Sequence, residues 1–258
     1  MGEVIAITSG KGGVGKSSVV LNLGEMLAMM GHSVCLIDMD LGLKNLDYMM
    51  GLDNRMFYDM VDVMKQRCSL KNAMLQDKYC KQLYLLPGCK SVHMEEFDVE
   101  QLKVIINTLK EQFDYILLDS AAGIEKGFYS SIACVNKVIL VTTLDVTSLQ
   151  DADRVIGILM QQRMEHISFI VNRYQEKSIE KGICVPLQDA KQWLAVDFLG
   201  YVFEDEEMQR CANIGKPAVG KRSQKLYECF SVIARRLQGE HVSLPKTQGK
   251  SILAKLFG

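Results

Sequence analysis

The chain has 258 residues, 48% of them hydrophobic and 24% charged, with four prolines and a formal net charge of −1. That composition suits one large α/β domain or two small ones, and it excludes disorder, collagen-like repeats and a coiled coil. No run approaches the ~18 uncharged apolar residues that cross a bilayer, and Glu3 stands where a signal peptide carries basic charge, so a cytoplasmic chain is expected.

Met1-Gly2 suggests N-myristoylation, but Ala6 occupies the position where that motif needs Ser or Thr. Eight cysteines are scattered without a Cys-x-x-Cys pair, and four histidines lack ligand spacing, so neither a disulfide framework nor a zinc site is expected. The net charge hides an asymmetry. From Gly215 onward nine basic residues face two acidic ones, which leaves +7 on that end and −8 on residues 1–214. A basic end on an acidic body points to an anionic surface as partner.

In chain order, residues 4–7 read as a strand apolar on both faces. Gly10, Lys11, Gly12, Gly13, Val14, Gly15, Lys16 and Ser17 follow at once and fit G-x-x-x-x-G-K-[ST], a phosphate-binding loop opening a helix over residues 17–30 that Gly31 ends. Glycines let successive N–H groups turn inward on a phosphate, and the helix adds the positive end of its dipole. In that motif Lys16 reaches the β- and γ-phosphates and Ser17 ligates Mg²⁺, with Ser18 beside them; ATP and Mg²⁺ are the expected ligands.

Residues 34–37 form the next strand, and period two places Asp38 and Asp40 on one face beyond it. A strand at 83–86, a helix at 99–112 and a strand at 115–118 come next, the last delivering Asp119 to the sheet edge where such proteins keep an acid near Mg²⁺. Ser17, Asp38 and Asp119 are thus the candidate metal residues. Strands at 138–141, 167–171 and 198–202 and helices at 147–162 and 224–237 complete the alternation. The pattern predicts a single doubly wound, mostly parallel sheet in three αβα layers over residues 1–238.

Residues 239–249, polar with Pro245 and two glycines, read as a flexible linker. Beyond them, residues 250–258 wound as a helix place Ile252, Leu253, Leu256 and Phe257 on one stripe with Lys250 and Lys255 flanking it, an amphipathic membrane-surface anchor.

Lys11, at a position that an ordinary phosphate loop leaves free, marks the deviant KGGVGK[ST] form. With Leu41-Gly42-Leu43-Lys44-Asn45-Leu46-Asp47 and Asp119-Ser120-Ala121-Ala122-Gly123-Ile124-Glu125, the chain resembles the MinD family of ATPases from its first strand to its last residue. The resemblance implies a weak, partner-stimulated, Mg-dependent ATP hydrolase whose ATP-bound form is a homodimer. It helps place the division septum by recruiting a division inhibitor to the membrane, under a stimulating or topological factor.

In such a dimer Lys11 would reach the partner's phosphates, Asp40 would position the attacking water, and Asp119 would act on Mg²⁺ through water. Ser120 to Glu125 would sense the γ-phosphate; Ala121 replaces the family's proline there and loosens the loop. Asn172 and Glu204 would contact adenine, with Phe203 standing in place of another family proline. The helix opening at Thr147-Ser148-Leu149-Gln150-Asp151-Ala152-Asp153-Arg154 would face the regulators. The tail residues Ile252, Leu253, Lys255, Leu256 and Phe257 would make the molecule reversibly peripheral on the inner face of the cell membrane, with no specific nucleic acid expected.

Three rivals share parts of this pattern. A flagellar-placement ATPase shares GLxNxD but usually carries an N-terminal extension. A DNA-partitioning ATPase would use Lys221, Arg222, Lys225, Arg235 and Arg236 as a basic patch. An iron–sulfur carrier would need paired cysteines, for which Cys134 is the candidate.

Overall fold

The computed structural model describes residues 1–40, 46–88, 98–124, 126–219 and 223–245. Its sheet contains β1 (Glu3–Thr8), β2 (Val34–Asp38), β3 (Leu75–Gln76), β4 (Leu83–Leu86), β5 (Tyr115–Asp119), β6 (Lys137–Thr142), β7 (His166–Tyr174) and β8 (Asp197–Phe203), in the spatial order β3-β4-β2-β5-β1-β6-β7-β8. All neighbouring pairs are parallel except β3–β4. β1 lies at the centre, with β5 on one side and β6 on the other. That strand order puts the reversal of winding beside β1, the place where doubly wound sheets bind ligands.

The helices are α1 (Lys16–Met29), α2 (Leu46–Met49), α3 (Met60–Met64), α4 (Leu70–Ala73), α5 (Val99–Leu109), α6 (Lys126–Ile132), α7 (Val146–Gln161), α8 (Glu176–Glu180), α9 (Leu187–Leu194), α10 (Glu206–Asn213) and α11 (Gln224–Leu237). Strand alternation sorts the core into two layers. Val4 and Ala6 of β1 point to one side with Leu102, Ile106 and Leu109 of α5 and Leu149, Val155 and Leu159 of α7. Ile5 and Ile7 point to the other, with Val20, Leu23 and Leu27 of α1 and Leu226, Phe230 and Ile233 of α11. Both faces are covered, which accounts for strands that are apolar throughout.

Capping sets where the helices begin. Asp145 accepts from the Ser148 N–H ahead of α7, Asp98 from the Glu100 and Gln101 N–H groups ahead of α5, and Ser223 from the Leu226 N–H ahead of α11. All seven predicted strands and four predicted helices are present within one to three residues of their expected bounds.

Two features go beyond these expectations. The antiparallel β3 was not anticipated; it is two residues long, too short to show a period. Residues 240–245, read as the start of a flexible linker, are held on the body. Arg236 donates to the Val242 carbonyl through Nε (2.9 Å) and through its Nη2 (2.6 Å), and Tyr201 donates its hydroxyl to the Pro245 carbonyl. Residues 246–258, including the anchor helix, lie outside the described residues.

Candidate functional site

Because every strand but β3 runs the same way, the loops after β1, β2, β5, β6, β7 and β8 meet at one sheet edge. The loop after β1 turns through Gly13 and Gly15, both left-handed at φ 78° and 89°. Gly15 then caps α1 without a side-chain hydrogen bond, and no acid lies in the first helical turn. The opening N–H groups of a 14-residue helix are thus left to an anion.

Two close approaches require glycine. A Cβ on Gly10 would stand 2.5 Å from the Asp151 carbonyl, and one on Gly15 would stand 2.3 Å from Asn172 Nδ2. Asn172 Nδ2 donates to the Val14 carbonyl at 2.8 Å, so the predicted adenine residue also braces the loop.

The predicted acids and lysine converge. Lys16 Nζ meets Asp119 Oδ1 at 2.6 Å, with the two side chains 7% and 0% exposed. Asp38 is the register partner of Asp119 across β2–β5, and its Oδ1 accepts from the Asp40 N–H at 3.0 Å. Burial, with Asp119 adding repulsion, pushes the Asp38 carboxyl up to about 8. Burial also raises the Asp40 carboxyl, opposed by the nearby Lys16 charge. Three carboxyls thus share one lysine, and burial and mutual repulsion favour the protonated form of Asp38.

Asp119 Oδ2 is buried without a hydrogen-bond partner, an orphan at the place where a cation would be welcome. Among the described residues no three His, Cys, Asp or Glu side chains close on one metal position. These residues fit Mg²⁺ nonetheless, because that ion keeps its waters and is held by one or two carboxylates plus phosphate oxygens. Ser17, half-buried, is the second residue of α1.

Next to the loop, Gly15, Ser18, Asn172, Arg173, Phe203, Glu204, Asp205, Met208 and Gln209 line a cleft. A register shift between Val171 and Tyr174, with Arg173 left-handed at φ 55°, turns this end of β7 toward it. Arg173 and Glu204 approach to 3.9 Å across the opening. Sequence reasoning found Asn172, Phe203 and Glu204 but missed Arg173 and the α10 residues Met208 and Gln209. The only available signal was Asp205, which accepts from the Glu207 N–H as the cap of that helix.

Lys11 points the other way. It is 47% exposed, donates to Thr147 Oγ1 at 3.1 Å and lies 3.6 Å from Asp145 Oδ1. Asp145 also accepts from Thr143, Thr147 and Ser148, and these bonds hold its carboxyl well below the usual range against the opposing effect of burial. The predicted switch is tied to the phosphate loop by the Gly123 N–H, which donates to the Ser9 carbonyl at 2.9 Å. Glu125 lies outside the described residues.

Of the residues a DNA-partitioning reading would use, Arg235 pairs with Glu240, Arg236 donates to the Val242 carbonyl, and Lys225 lies 4.1 Å over the Phe203 ring; Lys221 and Arg222 are outside the described residues. Cys134, the cysteine an iron–sulfur reading would use, lies away from the phosphate loop. It lines a cavity with Met1, Gly2 and Lys103 at the opposite end of the strands.

Comparison with known proteins agrees with this geometry. A family model described as an AAA domain matches residues 2–170. The septum site-determining protein MinD of Bacillus subtilis is 40% identical, over 99% of this chain and 97% of its own. Among solved structures, the MinC:MinD cell division protein complex of Aquifex aeolicus aligns with a TM-score of 0.87 at 37% identity, over 95% of this chain and 98% of that one. The MinD of Pyrococcus horikoshii complexed with Mg-ADP aligns with a TM-score of 0.80 at 30% identity, over 92% and 96%.

Proposed function

This chain belongs to the MinD family of septum site-determining ATPases, and we propose that it is a nucleotide-controlled membrane switch in which bound ATP joins two copies face to face and only the pair holds the membrane. One observation carries the reading. Two lysines of the same loop are oppositely disposed, Lys16 sealed inside at 7% exposure and Lys11 presented outward at 47%. An inward lysine serves its own nucleotide; an outward one serves a neighbour's.

Phosphates would enter the cradle of loop N–H groups at the start of α1, and Lys16 would turn from Asp119 toward the β- and γ-oxygens. Mg²⁺, held by Ser17 with Asp119 and Asp38 behind it, would screen the charge on those oxygens. Asp40 would orient the attacking water. Asn172 and Glu204 would hold the adenine in the cleft with Arg173.

Lys11 would cross to the partner's phosphates and offset the repulsion of two nucleotides brought together. Its present contacts are exposed, and such pairs contribute only about 0–1 kcal/mol, so release is cheap. Once the γ-phosphate departs, the crossing lysine loses its target and the pair separates.

The tail explains why pairing would matter at the membrane. Four large apolar side chains contribute ~1.5 kcal/mol each, and Lys250, Lys255 and the adjoining Lys246 ~1 each. Ordering about nine residues costs ~1 kcal/mol each, so the balance is near zero. Two linked tails raise avidity by roughly 10²-fold. The division inhibitor and the stimulating factor would dock on the outer turns of α7 from Thr147 to Arg154.

Co-sedimentation with anionic vesicles tests this. ATP should carry the chain down with lipid and ADP should not, and a chain lacking residues 252–258 should bind nucleotide but no vesicle. Equal binding with both nucleotides contradicts the switch.

A further inference from the structure

The root of the tail is built into the body. Past α11, Glu240 pairs with Arg235 and the chain turns back along β8, the edge strand of the sheet. Arg236 fixes the next step with its whole fork: Nε and Nη2 donate to the Val242 carbonyl and Nη1 to the Phe198 carbonyl at 3.3 Å, bridging strap and strand. Leu244 packs against the hydrophobic core. Tyr201 closes the far end through its hydroxyl on the Pro245 carbonyl.

Tyr201 is itself tightly set. Its ring stacks on Tyr174 at 4.2 Å between centroids and 15° between planes, and it meets Phe203 edge-on at 5.0 Å. Burial keeps its phenol protonated, pushed up to about 12, so it remains a donor at any physiological pH. Four contacts along six residues exceed what covering a sheet edge demands, since a charge or a proline suffices for that.

We propose that Arg236 and Tyr201 are positioning residues for the C-terminal tail: they hold Glu240–Pro245 as a strap up the outer edge of β8, so that the tail departs from a fixed root at Pro245. This rests on the membrane reading above. Its consequence is quantitative. A free linker starting at Gly239 would have eleven residues before Lys250, whereas one rooted at Pro245 has four. Effective concentration falls as roughly the −3/2 power of linker length, so the strap raises the concentration of the second tail about four- to fivefold. It also makes both tails of a pair leave from equivalent, fixed points.

The test uses full-length protein with Tyr201→Phe, which keeps the stacked ring, and Arg236→Lys, which keeps the charge but loses the fork. Backbone ¹⁵N order parameters across residues 241–244 should fall from about 0.85 to below about 0.6 in each. ATP-dependent vesicle affinity should fall about fourfold, while ATP-dependent pairing and turnover in the absence of lipid stay unchanged. Lower order parameters with vesicle affinity intact would reduce the strap to edge packing and overturn the proposal, as would order parameters that do not change. Should wild-type protein fail to bind vesicles at all, the membrane reading falls and this proposal with it; wild-type binding with unaltered variants overturns the strap alone.

Discussion

Lys16 and Asp119 form a buried ion pair at 2.6 Å in which the second carboxylate oxygen has no partner. The lysine is therefore shared between a structural debt and a ligand. Replacing it with Met leaves a buried carboxylate uncompensated, which costs about 3–5 kcal/mol. Lys16→Met should lower the urea midpoint of the nucleotide-free chain and abolish ATP binding, and the added change Asp119→Asn should restore much of the midpoint without restoring binding. Urea unfolding and nucleotide titration of both variants check this.

Gly15 and Asn172 form a second pairing. Gly15→Ala strains a backbone at φ 89° and drives a methyl group onto an amide 2.3 Å away, the same amide that braces the loop through Val14. A left-handed non-glycine residue costs about 1–3 kcal/mol before the clash. Nucleotide affinity should fall at least tenfold, measured by fluorescent-nucleotide titration. Asn172→Ala, which removes the brace and one proposed base contact, should lose less.

Glu25 predicts a pH dependence away from the nucleotide. It is buried on α1, and burial, with Asp77 adding repulsion, raises its carboxyl from 4.5 to about 7. The folded chain thus binds its proton more tightly than the unfolded one. The stabilisation is complete below about pH 4.5 and is lost as pH rises through 7, by about 2–3 kcal/mol. Urea unfolding at pH 5 and pH 8 should show that decline, and Glu25→Gln, neutral throughout, should flatten it and gain stability at pH 8.

The fold was readable wherever a strand or helix was long enough to display its period, as residues 4–7 and 224–237 do. The two-residue β3 and the five-residue α8 have no period to show, and their positions follow from tertiary contacts. The phosphate loop was legible because backbone conformation ties it to particular residues in a row. Arg173 was not, since a register shift in β7 aims it, and neither was the role of Asp145, whose contact with Lys11 spans 134 positions. Residues 240–245 look like a linker because the side chains that hold them, Tyr201 and Arg236, belong to other elements.

Pairing through Lys11 can be examined without lipid by sedimentation velocity of the full chain at saturating Mg-ATP, at saturating Mg-ADP, and as Lys11→Ala with Mg-ATP. The account predicts a species of twice the mass with ATP, single chains with ADP, and single chains for the variant even though it still binds ATP. A chain that stays single at saturating ATP, or a Lys11→Ala variant that pairs as well as the wild type, would contradict it.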